Sequence, residues 1–324
     1  MSDGEEHKAW GTGRCPRARS EYDRGLHPGG MNRETFLERL RRLRLHRQGD
    51  RRAPHKPLLI LYALGCWHNG RQHRIPFRQL ERDLAPLLCE FGAPKRQEPL
   101  YPYYHLASDG IWDHGIPEAL LPSSKSREPR KLELRQAEVS GGFVPEVQSL
   151  LAEDADLVAQ AASLLLELHF PVTLQDDIRE AVGLSQLPQS LRARRRDPAF
   201  REEVMAAYEY RCAVCELSLG LGGRTVGIEA AHLKWVQYQG PDELRNGLAL
   251  CVLHHKLFDL GGFRVTPESF EVRLSNRLHG EGAAMEPLKA VHGRPIRLPP
   301  RQAQYPRSAY LDWHYREVFK GRDR

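Results

Sequence analysis

The chain has 324 residues, of which 40% are hydrophobic and 28% are charged, and this length is typical of two domains. No apolar run is long enough to cross a bilayer, and six cysteines, three of them in one short stretch, argue against a disulfide framework. The net charge of +6 and the pI near 9.0 favour a polyanionic partner if the basic residues are clustered.

The N-terminal segment, residues 1–30, is polar and rich in Gly and Arg. It lacks the apolar core of a signal peptide, so the sequence predicts a disordered leader and a cytoplasmic protein. Asn32 then caps a predicted helix with one apolar stripe. The remainder of that helix is rich in arginine, which is either solvated or in contact with phosphate.

An apolar run follows at residues 53–64, Ala-Pro-His-Lys-Pro-Leu-Leu-Ile-Leu-Tyr-Ala-Leu. Pro57 suits the first turn of a helix, and because the run behind it is apolar on all sides, the sequence predicts a buried helix. His55 and Lys56 lie at the N-terminal end of this helix, where free backbone N–H groups favour a phosphate. Arg71 and Arg74 add a basic loop after it, and both are candidates for contacts to bases in a groove.

The densest aromatic segment is Glu98–Trp112, which reads Glu-Pro-Leu-Tyr-Pro-Tyr-Tyr-His-Leu-Ala-Ser-Asp-Gly-Ile-Trp. It predicts a loop that leads into a hairpin turned at Asp109–Gly110. Trp112 is expected to seal the core of this part of the chain. Tyr101 and Pro102 precede the strand, and in a basic setting their rings can form an apolar pocket on a nucleic-acid surface.

The His-Lys-Pro-Leu-Leu-Ile-Leu run, followed by Tyr-Pro-x-x-His-Leu and Asp-Gly-Ile-Trp, resembles the sulfur-binding domain of restriction nucleases that recognise phosphorothioated DNA. The resemblance covers residues 31–185 and implies that the sulfur docks in a small apolar cavity near basic side chains. Sulfur is larger, softer and more weakly hydrated than oxygen, so an apolar cavity discriminates by desolvation.

By motif position, the resemblance places Tyr101, Pro102 and His105 at this cavity. It places His55 and Lys56 at the flanking DNA backbone. The full set of candidate DNA-binding or sulfur-binding residues is His55, Lys56, Arg71, Arg74, Tyr101, Pro102 and His105.

The predicted boundary between the domains lies at residues 186–198, which include the basic run Arg192-Ala-Arg-Arg-Arg196. This run is either a solvated linker or one that tracks DNA. Residues 199–324 then form a second domain, in which residues 305–319 are a basic aromatic tail that is expected to pack on the rest.

Two chelating pairs occur in the second domain, Cys212-Ala-Val-Cys215 and Cys251-Val-Leu-His254, with thirty-five residues between them. Two intervening residues let both side chains of a pair reach one ion, and thiolates with an imidazole suit tetrahedral zinc. Four protein ligands leave no open position for water, so the sequence predicts a structural zinc. A coincidental match and a redox-active Cys-x-x-Cys are the alternatives, but the strand-to-helix context of the second is missing.

Polar residues that the zinc does not need lie between and after its ligands. The pattern predicts a short strand near His232, a hairpin-type turn at Asn246–Gly247, a second strand, and a helix from His254. On that helix His255 and Asp259 are four residues apart, so they share one face and can hold a divalent ion such as Mg²⁺. His232, on the facing strand, can remove a proton from water.

This order of residues resembles the HNH nucleases of the ββα-metal fold, in the subset that carries an additional structural zinc. The resemblance implies that His232 is the general base and that His255 is a ligand of the catalytic ion. Asn246 takes the place of the central asparagine, which orients the base or helps at the metal. The zinc pairs correspond to the zinc knuckle of that subset.

The chain departs from the family at Ala231. Many relatives have an acidic residue or a histidine directly before the base, as a metal ligand. Asp259 is the expected substitute, with Glu229 as the weaker candidate. The implied reaction is phosphodiester hydrolysis, in which the base activates water and the ion neutralises charge on the phosphorane and the leaving 3′ oxygen.

Together these features predict an α+β protein with a mainly helical N-terminal reader domain that includes a small hairpin, and a C-terminal ββα-metal domain with structural zinc. The predicted function is a modification-dependent, type IV-like restriction endonuclease. It binds phosphorothioated double-stranded DNA as a homodimer and cuts nearby with Mg²⁺ or Mn²⁺. Two alternatives stay open: the same nuclease reading a modified base such as 5-methylcytosine, and a non-catalytic zinc-stabilised DNA-binding protein.

Overall fold

The computed structural model describes residues 30–45, 50–70, 72–94, 97–123, 127–188, 198–283 and 285–323. From Asn32 onwards the chain forms one compact unit. Residues 1–29 of the predicted leader, Arg71 and the basic run at residues 192–196 lie outside the described residues. In the described part of the chain, no helix is long and apolar enough to cross a membrane.

The N-terminal part of this unit is mainly helical, as predicted. Its helices are α1 (Arg33–Arg41), α2 (His55–His68), α3 (Phe77–Phe91), α4 (Leu100–His105), α5 (Lys131–Gln136), α6 (Pro145–Glu153), α7 (Ala155–His169) and α8 (Val172–Ala181). Its short strands are β1 (Arg74–Pro76), β2 (Trp112–Asp113) and β3 (Ser140–Phe143). They form one antiparallel sheet in the order β1-β3-β2.

The local sequence explains how the first helices begin and pack. The Asn32 side chain accepts a hydrogen bond of 2.8 Å from the backbone N–H of Thr35, and such a cap stabilises a helix by about 1 kcal/mol. Residues 55–66 of α2 are all buried, so this helix is the centre of the N-terminal part. A Cβ added at Gly65 would lie 1.8 Å from the carbonyl oxygen of Val182, so only glycine allows the chain after α8 to approach α2.

The aromatic segment is helical where the sequence predicted a loop. A 3-10 helix continues α4 as far as Asp109, and Gly110 ends it in the left-handed conformation with φ of 72°. The predicted hairpin turn at this position is therefore wrong. Leu100, Tyr103 and Leu106 recur every third residue and are all buried, which is the period of a helix and not of a strand.

The C-terminal part has its own core of buried side chains, which extends from α9 (Pro198–Ala207) to α12 (Ser308–Glu317). Between them lie α10 (Val252–Asp259) and α11 (Met285–Ala290). The strands pair as antiparallel hairpins: β4 (Gly220–Leu221) with β5 (Arg224–Thr225), β6 (Ile228–His232) with β7 (Gly247–Cys251), and β8 (Phe263–Val265) with β9 (Val272–Leu274).

The elements β6, β7 and α10 form the predicted strand–strand–helix unit. The two strands pair so that His232 at the end of β6 lies opposite Gly247 at the start of β7. Residues 233–246 connect them, so the predicted hairpin-type turn at Asn246–Gly247 is wrong. Asn246 instead ends a 3-10 helix, and Gly247 begins the second strand.

The N-terminal and C-terminal parts share a buried seam at Arg52, which precedes α2 and is 3% exposed. The Arg52 guanidinium donates hydrogen bonds to the carbonyl oxygens of Glu317 in α12, at 2.9 Å, and of Phe91, at 3.0 Å. It also lies 4.1 Å from the centre of the Trp235 ring, in the loop between β6 and β7. A second contact joins α8 to α10, so the N-terminal part also contacts the strand–strand–helix unit of the C-terminal part.

Candidate functional site

Four side chains with zinc-binding atoms meet where the turn after α9 faces the junction of β7 and α10. Their ligand atoms, in Cys212, Cys215, Cys251 and His254, all lie within 4.8 Å of one another. The Cys251 sulfur is 3.1 Å from Nδ1 of His254 and 4.0 Å from the Cys215 sulfur. These separations suit one tetrahedral ion with ligand bonds of about 2.0–2.3 Å. The cluster contains the four residues that the sequence predicted.

The backbone around this cluster holds the ligands in place. The N–H group of Ala213 donates to the Ala249 carbonyl at 2.7 Å, which ties the turn to β7. Hydrogen bonds from Cys215 and Cys251 lower the pKa of the Cys212 thiol and so favour its metal-binding thiolate form, whereas hydrogen bonds with Cys212 and Cys251 raise the pKa of the Cys215 thiol. Because all four positions of such an ion are taken by protein, catalysis must use other residues.

His232 ends β6, and its side chain is 11% exposed. Its Nε2 atom lies 2.7 Å from Oδ1 of Asp242. Its ring stacks on Phe200 of α9, with centroids 4.1 Å apart and an angle of 15° between the planes. A carboxylate that accepts the Nε2 proton makes Nδ1 the basic nitrogen of the neutral ring. An imidazole held in this way can serve as a proton acceptor.

Asn246 is fully buried, and its amide group holds the loop between β6 and β7. Its Oδ1 accepts a hydrogen bond of 2.8 Å from the Lys234 N–H, and its Nδ2 donates to the carbonyls of Lys234 at 3.0 Å and Pro241 at 2.9 Å. Pro241 directly precedes Asp242, so these bonds help to position the carboxylate that contacts His232. The geometry therefore suits an orienting role for Asn246 better than a metal contact.

His255 lies on α10 with a carboxylate at each ring nitrogen. Its Nδ1 is 2.6 Å from Oε2 of Glu229, and its Nε2 is 3.3 Å from Oδ2 of Asp259. Burial alone would lower the pKa of His255, but Asp259 and Glu229 outweigh burial and raise it to about 9. His255 and Asp259 therefore share one face of the helix, as their spacing predicted.

The two carboxylates around His255 differ in their access to solvent. The Asp259 side chain is 2% exposed, and it accepts hydrogen bonds from the Thr173 hydroxyl and, at 3.0 Å, from the Trp235 indole. Burial alone would raise the pKa of Asp259, but His255 and Thr173 lower it. The Glu229 side chain is 42% exposed. An ion that arrives from solvent can thus reach Glu229, whereas Asp259 is enclosed by protein.

A divalent ion suits the donor set of Glu229 and His255, which combines an accessible carboxylate with an imidazole. A metal-bound histidine usually donates its second ring N–H to a carboxylate. Asp259 occupies that place at Nε2 of His255. The predicted pair of His255 and Asp259 is present, but the geometry favours Asp259 as a support for the histidine and Glu229 as the ligand.

Four of the predicted reader residues lie together, and we call them the ring cluster: His55, Tyr101, Pro102 and His105. Tyr101 and His105 are four residues apart in α4, and their ring centroids are separated by 4.5 Å. The His55 ring meets Tyr101 edge-on at 5.1 Å. Pro102 is buried in the same helix. The ring cluster brings the N-terminal end of α2 against α4.

Two other predicted reader residues have carboxylate partners within the protein. Lys56 Nζ lies 2.6 Å from Asp109, and both side chains are only 3% exposed. Arg74 lies 2.7 Å from Asp113, but its side chain is 40% exposed. Lys56 therefore faces the interior, where a charge needs a paired carboxylate, and does not face solvent as a DNA contact requires. Arg71 lies outside the described residues.

Several functional side chains could not be found from the sequence. Asp242 lies in a loop, ten residues after the histidine that it contacts. Thr173 belongs to the N-terminal part, and neither it nor Trp235 has a motif spacing to the residues of α10. The only available signal was an acidic residue in the loop that follows His232.

Two family models match the chain. Residues 33–187 match the family described as ScoMcrA-like, DNA sulfur-binding domain, and residues 212–266 match the family described as HNH endonuclease. The first match contains the ring cluster, and the second contains His232, His255 and the cluster of Cys212, Cys215, Cys251 and His254 that could hold a metal ion. Both resemblances inferred from the sequence are thereby confirmed. No curated protein matches the sequence.

Similar solved structures include the sulfur binding domain of ScoMcrA complexed with phosphorothioated DNA, at 26% identity and a TM-score of 0.40, covering 46% of this chain and 95% of that chain. The sulfur binding domain of SprMcrA in a complex of the same kind has 23% identity and a TM-score of 0.39, covering 48% and 96%. The type IV phosphorothioation-dependent restriction endonuclease ScoMcrA has 25% identity and a TM-score of 0.41, covering 50% of this chain but 35% of that chain.

Proposed function

We propose that this chain, which unites a ScoMcrA-like DNA sulfur-binding domain with an HNH endonuclease domain, is a restriction endonuclease that binds phosphorothioated DNA and hydrolyses a phosphodiester bond nearby. The observation that carries the proposal is the presence of both matched segments in one chain. Residues 31–185 would form the reader, and residues 199–324 the nuclease. The chain is a DNA endonuclease, and its dependence on the modification follows from the reader.

The ring cluster supports recognition of sulfur by exclusion of water. A phosphorothioate sulfur is weakly hydrated, so its transfer to a surface of aromatic rings costs less than transfer of a phosphate oxygen. The partly exposed rings of Tyr101 and His105 would form that surface, with the buried His55 and Pro102 behind them. Partly exposed cations such as Arg74 would attract the DNA backbone. This attraction is the same for phosphorothioated and unmodified DNA. The ring cluster would therefore supply the preference for phosphorothioated over unmodified DNA, and the basic residues would supply the general affinity for DNA.

The proposed nuclease centre would combine two groups of residues, His232 with Asp242 and His255 with Glu229 and Asp259. His232 would take the proton from the attacking water at Nδ1, while Asp242 holds the ring at Nε2 and stabilises the imidazolium that forms. The stack on Phe200 fixes the plane of the ring, so the proton acceptor is oriented before DNA arrives. Asn246 would maintain this arrangement through the loop that carries Asp242.

Glu229 and His255 would hold the catalytic ion, Mg²⁺ or Mn²⁺, with Asp259 behind the histidine. When bound, such an ion supplies positive charge that stabilises the phosphorane and the leaving oxygen. Zinc would occupy the closed cluster of three cysteines and His254 and stabilise the fold. The two kinds of metal would thus have separate ligand sets, although His254 and His255 are consecutive residues of α10.

One nuclease centre per chain suggests that cleavage of both strands uses two copies. We therefore propose a homodimer on modified double-stranded DNA. Sedimentation of the full chain under native conditions, with and without the modified duplex, tests this state. A single species with the mass of one chain in the presence of DNA would contradict it.

The proposed function is tested with two DNA duplexes that differ only by one sulfur. The full chain is incubated with each duplex and Mg²⁺ or Mn²⁺ at physiological salt, which weakens non-specific binding. We expect tighter binding and cleavage of the sulfur-containing duplex. Equal treatment of both duplexes would overturn sulfur recognition and direct the test to methylated DNA. Absence of cleavage on every duplex would favour a DNA-binding protein without catalysis.

A further inference from the structure

We propose that Thr173, a residue of the sulfur-binding domain, is a positioning residue of the nuclease centre. The inference rests on the proposed function and adds a residue that neither motif contains. Thr173 lies in the first turn of α8, within the segment matched to the sulfur-binding family. Its hydroxyl donates a hydrogen bond to Oδ2 of Asp259, on the last turn of the helix that carries His255.

The hydrogen bonds of the Asp259 carboxylate show what Thr173 controls. Oδ1 accepts from the Trp235 indole at 3.0 Å, while Oδ2 accepts from Thr173 and lies 3.3 Å from Nε2 of His255. A carboxylate that is 2% exposed has no bulk water to replace a lost donor. Without the hydroxyl, Oδ2 would lose one of its two partners, and the Asp259 carboxylate would hold the His255 ring less firmly.

The orientation of His255 determines the nitrogen that it offers to an ion. With Nε2 directed to Asp259, Nδ1 faces Glu229, the accessible carboxylate of the proposed metal site. Supporting residues behind a metal-bound histidine typically change metal affinity or activity by about 10- to 100-fold when they are removed. Thr173 would act one step further back, because it holds the carboxylate that holds the histidine.

Trp235 provides a second support for the same carboxylate from the nuclease side. Its ring lies under the Arg52 guanidinium, and Arg52 also belongs to the N-terminal part. The N-terminal part therefore contacts the Asp259 environment directly, through Thr173, and indirectly, through Arg52. The geometry assigns the nuclease centre to both segments of the chain and not to the HNH segment alone.

The contact between α8 and α10 supplies a matched control. Asp177, one turn after Thr173 in α8, lies 2.5 Å from Nζ of Lys256 in α10. This ion pair joins the same two helices, and both of its side chains are partly exposed. The Lys256 ammonium also donates to the Thr173 backbone carbonyl, a contact that a change of the Thr173 side chain leaves in place.

The test compares the full-length, zinc-loaded protein with T173V, T173S and D177N. Valine has the shape of threonine without its hydroxyl, serine keeps the hydroxyl, and D177N removes the ion pair between α8 and α10. Mn²⁺ binding is measured by electron paramagnetic resonance in the absence of DNA. The Mn²⁺ concentration that gives half-maximal cleavage, the affinity for the sulfur duplex and the melting temperature are measured in parallel.

We expect T173V to bind Mn²⁺ about tenfold more weakly and to need correspondingly more Mn²⁺ for cleavage, with unchanged affinity for the sulfur duplex. T173S and D177N should stay within about twofold of the wild type. An unchanged T173V would overturn the inference, as would a D177N protein that loses as much Mn²⁺ affinity as T173V. A wild-type protein that cleaves no duplex and binds no Mn²⁺ would instead overturn the proposed function together with this inference.

Discussion

The nuclease centre and the ring cluster both correspond to short motifs, but they are built from different kinds of contact. In the proposed nuclease centre, directional contacts with Asp242, Glu229 and Asp259 hold each histidine. In the ring cluster, the contacts lie between the faces and edges of rings, and the neighbouring Lys56 is turned into the protein. Proton transfer and metal binding demand fixed angles, whereas exclusion of water from a sulfur demands only apolar area.

This comparison can be sharpened first at the zinc cluster, where the largest effect is expected. Structural zinc supplies about 10–16 kcal/mol of apparent binding free energy, which becomes folding free energy. C251S should therefore lose zinc, unfold the C-terminal part and abolish cleavage. Metal analysis and thermal unfolding measure the outcome. C89S removes an exposed cysteine and serves as the control. A zinc-free C251S with an unchanged melting temperature would show that the zinc has no structural role.

The second test separates chemistry from recognition. H232A should slow cleavage of the sulfur duplex by about 10²- to 10⁴-fold, because the proton acceptor is lost. Its affinity for the duplex should not change, since His232 lies outside the ring cluster. Single-turnover cleavage and gel-shift titration measure the two quantities. H279A, which changes an exposed histidine of the same part, should behave as the wild type. A cleaving H232A would exclude His232 as the base.

The third test asks whether Lys56 belongs to the fold or to the DNA surface. K56M leaves Asp109 buried without its cation, so the free energy of unfolding should fall by about 3–5 kcal/mol. R74M breaks an exposed pair and should lose about 1 kcal/mol or less. Urea unfolding of both variants measures the difference. A stable K56M that no longer binds the sulfur duplex would return Lys56 to the DNA-binding residues.

The smallest effect is expected at the ring cluster. Y101A should reduce the preference for the sulfur duplex over the unmodified duplex by about five- to tenfold, which corresponds to one aromatic contact of about 1 kcal/mol. Y101F retains the ring and should retain the preference. Competition gel shifts with the two duplexes give the ratio directly. An equal fall in affinity for both duplexes would assign Tyr101 to general DNA binding instead.

Most of the strand–strand–helix unit could be predicted from the sequence, because the residues of each metal-binding pair are close to each other in the chain. The Cys-x-x-Cys and Cys-x-x-His pairs and the spacing of His255 and Asp259 are local patterns of a turn and a helix. The connection between β6 and β7 was predicted incorrectly at Asn246–Gly247. An asparagine–glycine pair is a hairpin signal, but here the buried Asn246 side chain organises a long loop instead.

The remaining features depend on contacts between distant segments. Asp242 reaches His232 only because that loop folds back, and Thr173 reaches Asp259 across 86 positions of the chain. Lys56 likewise depends on a distant residue. Its position at a helix end predicts an accessible cation, but in the structure Asp109 pairs with it in the interior. Residue type indicated that these side chains were polar, but only the tertiary structure shows their partners.

Arg52 affects whether the reader of this chain can be exchanged for another one. Arg52 belongs to the reader segment of the sequence, but its guanidinium contacts two residues of the nuclease segment, the carbonyl oxygen of Glu317 and the ring face of Trp235. Separation of the two parts at residues 186–198 would leave the buried Arg52 guanidinium without its Glu317 and Trp235 partners. It would also remove a contact of the loop between β6 and β7. We therefore expect that a reader of different specificity, joined to this nuclease, needs a side chain at position 52 that makes the same contacts.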